Sequence, residues 1–194
     1  MKNRRAFLAS ASIATFALSL IGCAGTHTRL VHDTVLVEYS PAANMGDVLD
    51  VWSACKKGSQ KWTEHNGSDG SVVVQFECSA QDLLELNNTI LQNSKTIKRM
   101  RNLFEFADIR YRAEFVLNDD KSSFTVGEQY NDYVWKDGKK ATRQAPFLNL
   151  AYDGNLATDP LKHIDNPEKL SFTIESYAQI LGPAYLTLRT QSAP

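Results

Sequence analysis

The chain has 194 residues, of which 43% are hydrophobic and 22% charged, and its formal net charge at pH 7 is −1. This length and balance are typical of a chain that buries one hydrophobic core. The charge balance has no basic excess and becomes mildly acidic without the first 22 residues, which argues against nucleic acid as a partner, because phosphate binding needs a basic footprint. It also argues against broad contact with anionic lipid headgroups.

Residues 1–22 have the layout of a secretory signal peptide. Lys2, Arg4 and Arg5 precede an apolar run over residues 6–21, and small residues follow it. The run is too short and too rich in Ser and Thr for a membrane-spanning helix, which needs about 20 mostly apolar residues. Removal of this segment takes away three basic residues and no acidic one, so the formal net charge falls from −1 to −4.

The stretch Leu20-Ile21-Gly22-Cys23 resembles the bacterial lipobox, in which a lipid-modified cysteine follows small and apolar residues. The resemblance implies that Cys23 becomes the mature N-terminus and carries a diacylglycerol on its sulfur and a third acyl chain, such as palmitate, on its amine. Several chains anchor where one does not, since each buried CH₂ contributes about 0.8 kcal/mol. The residue after the cysteine is Ala24 and not Asp. This resembles the pattern of lipoproteins that Gram-negative bacteria send to the periplasmic face of the outer membrane. The alternative is an ordinary cleaved signal with an incidental cysteine.

The export route stays open. Arg4-Arg5-Ala6-Phe7-Leu8 resembles the twin-arginine motif, although Asn3 and Ala9 depart from it at the flanks. The alternative is an ordinary basic n-region that contains two arginines. Both routes lead to the same compartment.

After the signal, the pattern predicts a short tether over residues 23–32 and a single domain over residues 33–194. The β-branched stretch 34–39 predicts a first strand. Asn44 or Asp47 can cap a helix that runs to about Ala54.

A hairpin follows. Residues 61–65 pair with residues 71–78 across a Gly-rich turn, and alternation places Cys78 on the core face of the second strand. With Cys23 acylated, Cys55 and Cys78 are an even pair in an oxidising compartment, which predicts a disulfide. The alternative is two buried free thiols. The spacing is not Cys-x-x-Cys, so a redox role is not indicated.

Ser79-Ala80-Gln81-Asp82 resembles a capping box, and helical spacing continues to about Phe104. A weak point at residues 92–94 leaves a break into two helices open. Basic residues crowd the end of this stretch, which favours placement near a helix C-terminus over an anion site. They are Lys95, Lys98, Arg99 and Arg101.

Residues 109–117 alternate between apolar and charged side chains, which predicts a half-buried antiparallel strand. A turn leads into a partner strand over residues 122–135, and Asp137-Gly138 predicts the next hairpin turn. Residues 142–152 predict a third strand, and Pro146 favours an edge position for it.

The C-terminal segment 166–181 fits a helix better than a strand, although both stay open, and a last strand is predicted over residues 185–189. The sum is an α+β domain with helices packed on one face of an antiparallel sheet.

The residues that usually carry chemistry form no recognisable constellation. His27, His32, His65 and His163 have no metal-ligand spacing, and we interpret them as solvated. Asp119-Asp120 lacks the pattern of a calcium loop. No nucleophile elbow or phosphate loop occurs, so the sequence predicts no catalytic residue, no metal and no cofactor.

Aromatic residues on the strand 122–135 are the candidate binding surface. Tyr133 and Trp135 share one face, and Tyr130 lies on the other. The side chains of one face must pack in the core, and the other face would then expose aromatic surface of the kind that marks contact sites. The alternative is that both faces are covered.

These observations favour a lipid-anchored protein without catalytic activity that binds another envelope protein or a cell-wall component. The alternative is a periplasmic hydrolase whose carboxylates assemble only in the fold. A weaker third hypothesis is a small-ligand carrier with a cavity between sheet and helices.

Overall fold

The computed structural model describes residues 25–93, 101–154, 179, 182–185 and 187. Five antiparallel strands form one sheet in the order β1-β2-β3-β4-β5, so each strand pairs with its neighbour in the chain. The strands are β1 (Lys61–Asn66), β2 (Val72–Ser79), β3 (Phe106–Leu117), β4 (Phe124–Trp135) and β5 (Lys140–Gln144). The α-helices are α1 (Thr26–His32), α2 (Met45–Leu49), α3 (Gln81–Asn93) and α4 (Leu148–Tyr152). The predicted α+β class is confirmed.

The hairpins agree with the sequence pattern because alternation and turn residues specify them locally. On β3 the odd-numbered residues from Ile109 to Leu117 are buried and the even-numbered ones are half-buried or exposed. The β4–β5 turn contains Gly138 at φ 83°, a conformation that glycine adopts without a Cβ penalty. β5 is an edge strand, as predicted, but it ends at Gln144 and residues 148–152 form α4.

The hydrophobic core lies between the sheet and the helices. Trp52 packs on Tyr111, with ring centroids 4.7 Å apart, and stacks on Phe147 at 5.3 Å. The Tyr111 hydroxyl donates its one proton to the Asp82 carboxylate, with both oxygens 2.9 Å away, which ties the first turn of α3 to β3. Leu86 on the same helix is 1% exposed.

The N-terminal predictions are wrong on two points. Residues 26–32 of the predicted tether form α1, in which Thr28 and Val31 are buried, so this segment belongs to the folded domain. Residues 34–39 make no strand but turns, with a lone antiparallel bridge between Val35 and Asn44. Val37 is 74% exposed, so its β-branched side chain has no sheet to pack against.

The helix α2 is shorter than predicted. Asn44 caps α2, since its Oδ1 accepts from the Asp47 backbone N–H at 2.7 Å, but α2 ends at Leu49. The chain then turns so that Cys55 bridges to Ala80.

The predicted long helix is described as α3 up to Asn93, and residues 94–100 lie outside the described residues. At its start, the Ser79 hydroxyl donates to Asp108 at 2.7 Å and the Asp82 backbone N–H donates to the Ala54 carbonyl at 3.4 Å. α3 ends at Asn93, and the next described element is a 3₁₀-helix, Arg101–Phe104. Lys95, Lys98 and Arg99 lie outside the described residues.

The C-terminal segment 166–181 also lies outside the described residues, apart from the helical Gln179. Residues 182–185 and 187 are helical, so the strand predicted from Tyr185 is wrong. Tyr185 instead packs on Trp135, with ring centroids 5.3 Å apart.

Candidate functional site: the polar face of the sheet

The face of the sheet opposite the core carries a network of charges, here called the polar face. It is built from the outward positions of the three central strands: Glu77, Asp108, Arg110, Arg112, Glu114, Tyr130 and Asp132. The antiparallel register sets Arg110 opposite Asp132 and Arg112 opposite Tyr130. Cross-strand pairs of opposite charge stabilise a sheet.

Arg112 is the centre of this network. Its Nε donates to Asp132 Oδ2 at 2.7 Å and its Nη2 to Asp132 Oδ1 at 3.3 Å, which is a two-point contact. Its Nη1 donates to Glu114. The guanidinium carbon lies 4.2 Å from the centroid of the Tyr130 ring, within the range of a cation–π contact. Four groups therefore hold one another in fixed orientations.

Arg110 forms the second part of the network. Its Nε donates to Asp108 Oδ2 at 2.7 Å, and its Nη1 lies 4.0 Å from Glu77 Oε1. The hydrogen bond to Asp108 raises the pKa of Arg110. Burial lowers the pKa of Arg112, but hydrogen bonding and attraction from Asp132 and attraction from Glu114 outweigh it and raise that pKa. Both guanidiniums therefore stay charged.

A depression of about 300 Å³ opens on this face beside Arg110 and Asp132. Around it, Asp108 and Asp132 accept from arginine and hydroxyl donors, and Glu77 Oε1 lies 3.7 Å from Lys61 Nζ. Such an arrangement is suited to a rigid recognition surface, because oriented charges and a stacked ring are presented without further ordering.

The candidate aromatic residues divide between the two faces of β4, and only Tyr130 lies outside the core. Tyr133 is 5% exposed and Trp135 1%, and both belong to the core, where Trp135 Nε1 donates to the Leu103 carbonyl at 3.1 Å. Burial raises the pKa of Tyr133. Tyr130, by contrast, lies on the polar face against Arg112.

The histidine interpretation is wrong for two of the four residues. His32 is half-buried: its Nδ1 lies 2.9 Å from Asp33 Oδ1 and its Nε2 lies 3.1 Å from Asp50 Oδ2. His27 Nδ1 lies 2.8 Å from Glu64 Oε1. The hydrogen bond to Asp33 raises the pKa of His32, burial opposes the rise, and Asp50 adds to it.

The other histidines differ. His65 is exposed on β1, as interpreted from the sequence, and His163 lies outside the described residues.

The cysteine pairing is confirmed. Cys55 and Cys78 form a disulfide, with Cα atoms 5.7 Å apart, and both are buried. Cys23 lies outside the described residues.

Two features were missed by sequence reasoning. The pairing of Arg112 with Asp132 needs the register of β3 and β4, which a bulge between Ala113 and Phe115 shifts. The α1 helix had a local signal, since Thr28 and Val31 are three residues apart and lie on one helical face.

Comparisons of the chain with known protein families, with curated proteins and with solved structures return no match. Among the helices that the structure describes, none is long and apolar enough to cross a membrane.

Proposed function

We propose that this protein is a lipid-anchored envelope protein that binds a partner without catalysis at the periplasmic face of the bacterial outer membrane. The observation that carries the anchor is Leu20-Ile21-Gly22-Cys23 at the end of a signal-like segment. The folded domain begins within a few residues of that cysteine, because α1 starts at Thr26. This is the layout of a domain attached directly behind a lipid modification.

The anchor is tested by metabolic labelling with a palmitate analogue. Wild-type protein should incorporate the label and stay with the membrane fraction. Cys23→Ser should lose both properties, because it has no thiol to acylate. Label retained by Cys23→Ser would contradict the proposal.

The polar face supports the binding role. Tyr and Arg are enriched where proteins contact one another, and in this face Tyr130 and Arg112 are already stacked and oriented by carboxylates. The mixture of two guanidiniums with several carboxylates fits a protein surface of mixed charge better than a strongly anionic polymer.

The binding role is tested by cross-linking in intact envelopes, followed by affinity measurement with the captured partner. Tyr130→Ala should weaken binding about tenfold or more, which is the loss expected of a central aromatic contact. Lys57 is an exposed residue in the loop before β1. Lys57→Ala is the matched control and should bind the partner as wild type does. Equal affinity of the two variants for the partner would show that the polar face is not the binding surface.

A further inference from the structure

The first helix is fixed to the body of the domain. Val31 has no exposed surface, and Thr28 is 4% exposed. His27 contacts Glu64 on β1 at 2.8 Å, and the Thr34 carbonyl just after the helix accepts from the Met45 backbone N–H at 3.0 Å. The start of α1 therefore has a fixed position relative to the sheet.

The proposed lipid attachment lies very close to this fixed point. Cys23 precedes Gly25 by two residues, and two extended residues span at most about 7 Å. Gly25 itself lies against β1, because a Cβ added to it would be 2.4 Å from Glu64 Oε2. Whatever the conformation of these residues, the proposed anchor therefore stays within about 7 Å of Gly25.

Two hairpin turns lie at this end of the sheet. Glu64 is two residues from the end of β1, where the chain turns through residues 67–71 into β2. Leu30 on α1 lines a depression of about 530 Å³ together with Ser123 and Phe124. The turn 118–123 between β3 and β4 therefore lies next to α1. The two turns and the start of α1 are named the hairpin end.

The other end of the sheet carries different features. The disulfide between Cys55 and Cys78 lies near the end of β2, and the turn Asp137-Gly138 lies between β4 and β5. This is named the disulfide end. β3 has 12 residues at about 3.3 Å each, so the ends are about 35–40 Å apart.

We propose that the hairpin end faces the lipid surface that holds the acylated Cys23, and that the disulfide end points away from it. The inference rests on the proposed lipid anchor and adds a fixed orientation to it. The polar face then stands upright from the bilayer and is open to a partner in the periplasm.

The charges of the hairpin end argue against insertion into the bilayer. Asp69 and Asp120 occupy the two turns, and hydrogen bonds from Ser71 and Ser122 lower their pKa values. Ionised carboxylates do not enter the hydrocarbon region and are repelled by anionic headgroups. The turns therefore stay outside the hydrocarbon region, and the proposed anchor, not these charges, holds this end near the headgroups.

The orientation is tested by energy transfer from single labels to acceptor-labelled headgroups in phosphatidylethanolamine–phosphatidylglycerol vesicles. The full acylated protein carries one added cysteine, either at the hairpin end (Ser68→Cys or Asp119→Cys) or at the disulfide end (Lys57→Cys or Lys136→Cys). All four sites are exposed. The donor label and the headgroup acceptor should have a Förster distance of about 40 Å, close to the separation of the two ends. Energy transfer from labels at the hairpin end should then be at least twice as efficient as from labels at the disulfide end.

Flotation of the same vesicles separates the two claims. Protein that floats with lipid, together with equal transfer from both ends, would overturn the orientation and leave the anchor standing. Protein that fails to float would overturn both. Unfolding midpoints close to wild type show that the labels leave the fold intact, and the second site at each end replaces any variant that does not fold.

Discussion

Asp82 is an acidic residue with 2% of its surface exposed, and it depends on neighbouring donors for its stability in the core. The Tyr111 hydroxyl lies 2.9 Å from each of its carboxylate oxygens, and its Oδ1 also accepts from the Leu83 backbone N–H at 2.8 Å. One side chain thus both orders the first turn of α3 and holds that helix on β3.

Tyr111→Phe should lower the free energy of unfolding by about 1.5–3 kcal/mol, the contribution typical of a hydrogen bond to a charged group. The ring and its packing on Trp52 remain, so the loss isolates the hydroxyl. Urea unfolding measures it. Tyr130→Phe, on the polar face, is the matched control and should change stability by less than about 0.5 kcal/mol. Equal stabilities of the two variants would contradict the role given to Asp82.

His32 makes part of the stability depend on pH. Its pKa is raised in the folded state by Asp33 and Asp50, so its contribution is fully present below the unfolded pKa of about 6.5. The contribution is lost as pH rises through the folded pKa. The imidazole is close to one-third exposed, so we expect the effect to stay below about 1 kcal/mol.

His32→Gln should therefore destabilise the protein more at pH 5.5 than at pH 8.5, as measured by urea unfolding at both values. Gly46 supports this geometry, because a Cβ there would lie 2.1 Å from the His32 ring. His65→Gln, which removes an exposed imidazole from β1, is the control. A larger loss at pH 8.5 than at pH 5.5 would show that the sign is wrong.

At the scale of elements, sequence reasoning succeeded where the signal was local and failed where the fold decided. Strands β1 to β4 follow from alternation and from turns such as Asp137-Gly138. The stretch 34–39 has the composition of a strand, but it forms turns after α1 with one isolated bridge from Val35 to Asn44. The polar face could not be predicted from the sequence, because the contact between Arg112 and Asp132 depends on the pairing register of β3 with β4. That register contains a bulge.

The disulfide was predictable because alternation placed Cys78 on the core face and the compartment favours oxidation. It closes a segment of sequence separation 23 and joins the loop after α2 to the end of β2.

Cys55→Ser together with Cys78→Ser should lower the free energy of unfolding by about 3 kcal/mol on the chain-entropy account. Unfolding in urea with and without reductant checks this value. Reductant should destabilise wild type and leave the double variant unchanged. A reductant effect on the double variant, or none on wild type, would contradict the prediction.

For the whole molecule, the consequence that matters most is where the domain begins. The sequence suggested a spacer up to His32, yet Val31 lies fully inside the core and His27 contacts the sheet. Residues 26–32, which lie next to the proposed anchor, are therefore part of the fold, and the proposed orientation depends on contacts that also stabilise the domain.

A chain that starts at Gly25 should be more stable than a chain that starts at Asp33 by at least about 2 kcal/mol. Burial of one valine side chain alone contributes about 1.5–3 kcal/mol, and the buried Thr28 adds contacts. Urea unfolding of the two truncated chains measures the difference, and Val31→Ala in the longer chain should lose part of it by leaving a cavity. Equal stabilities would mean that α1 contributes nothing to the fold and that residues 23–32 are a tether after all.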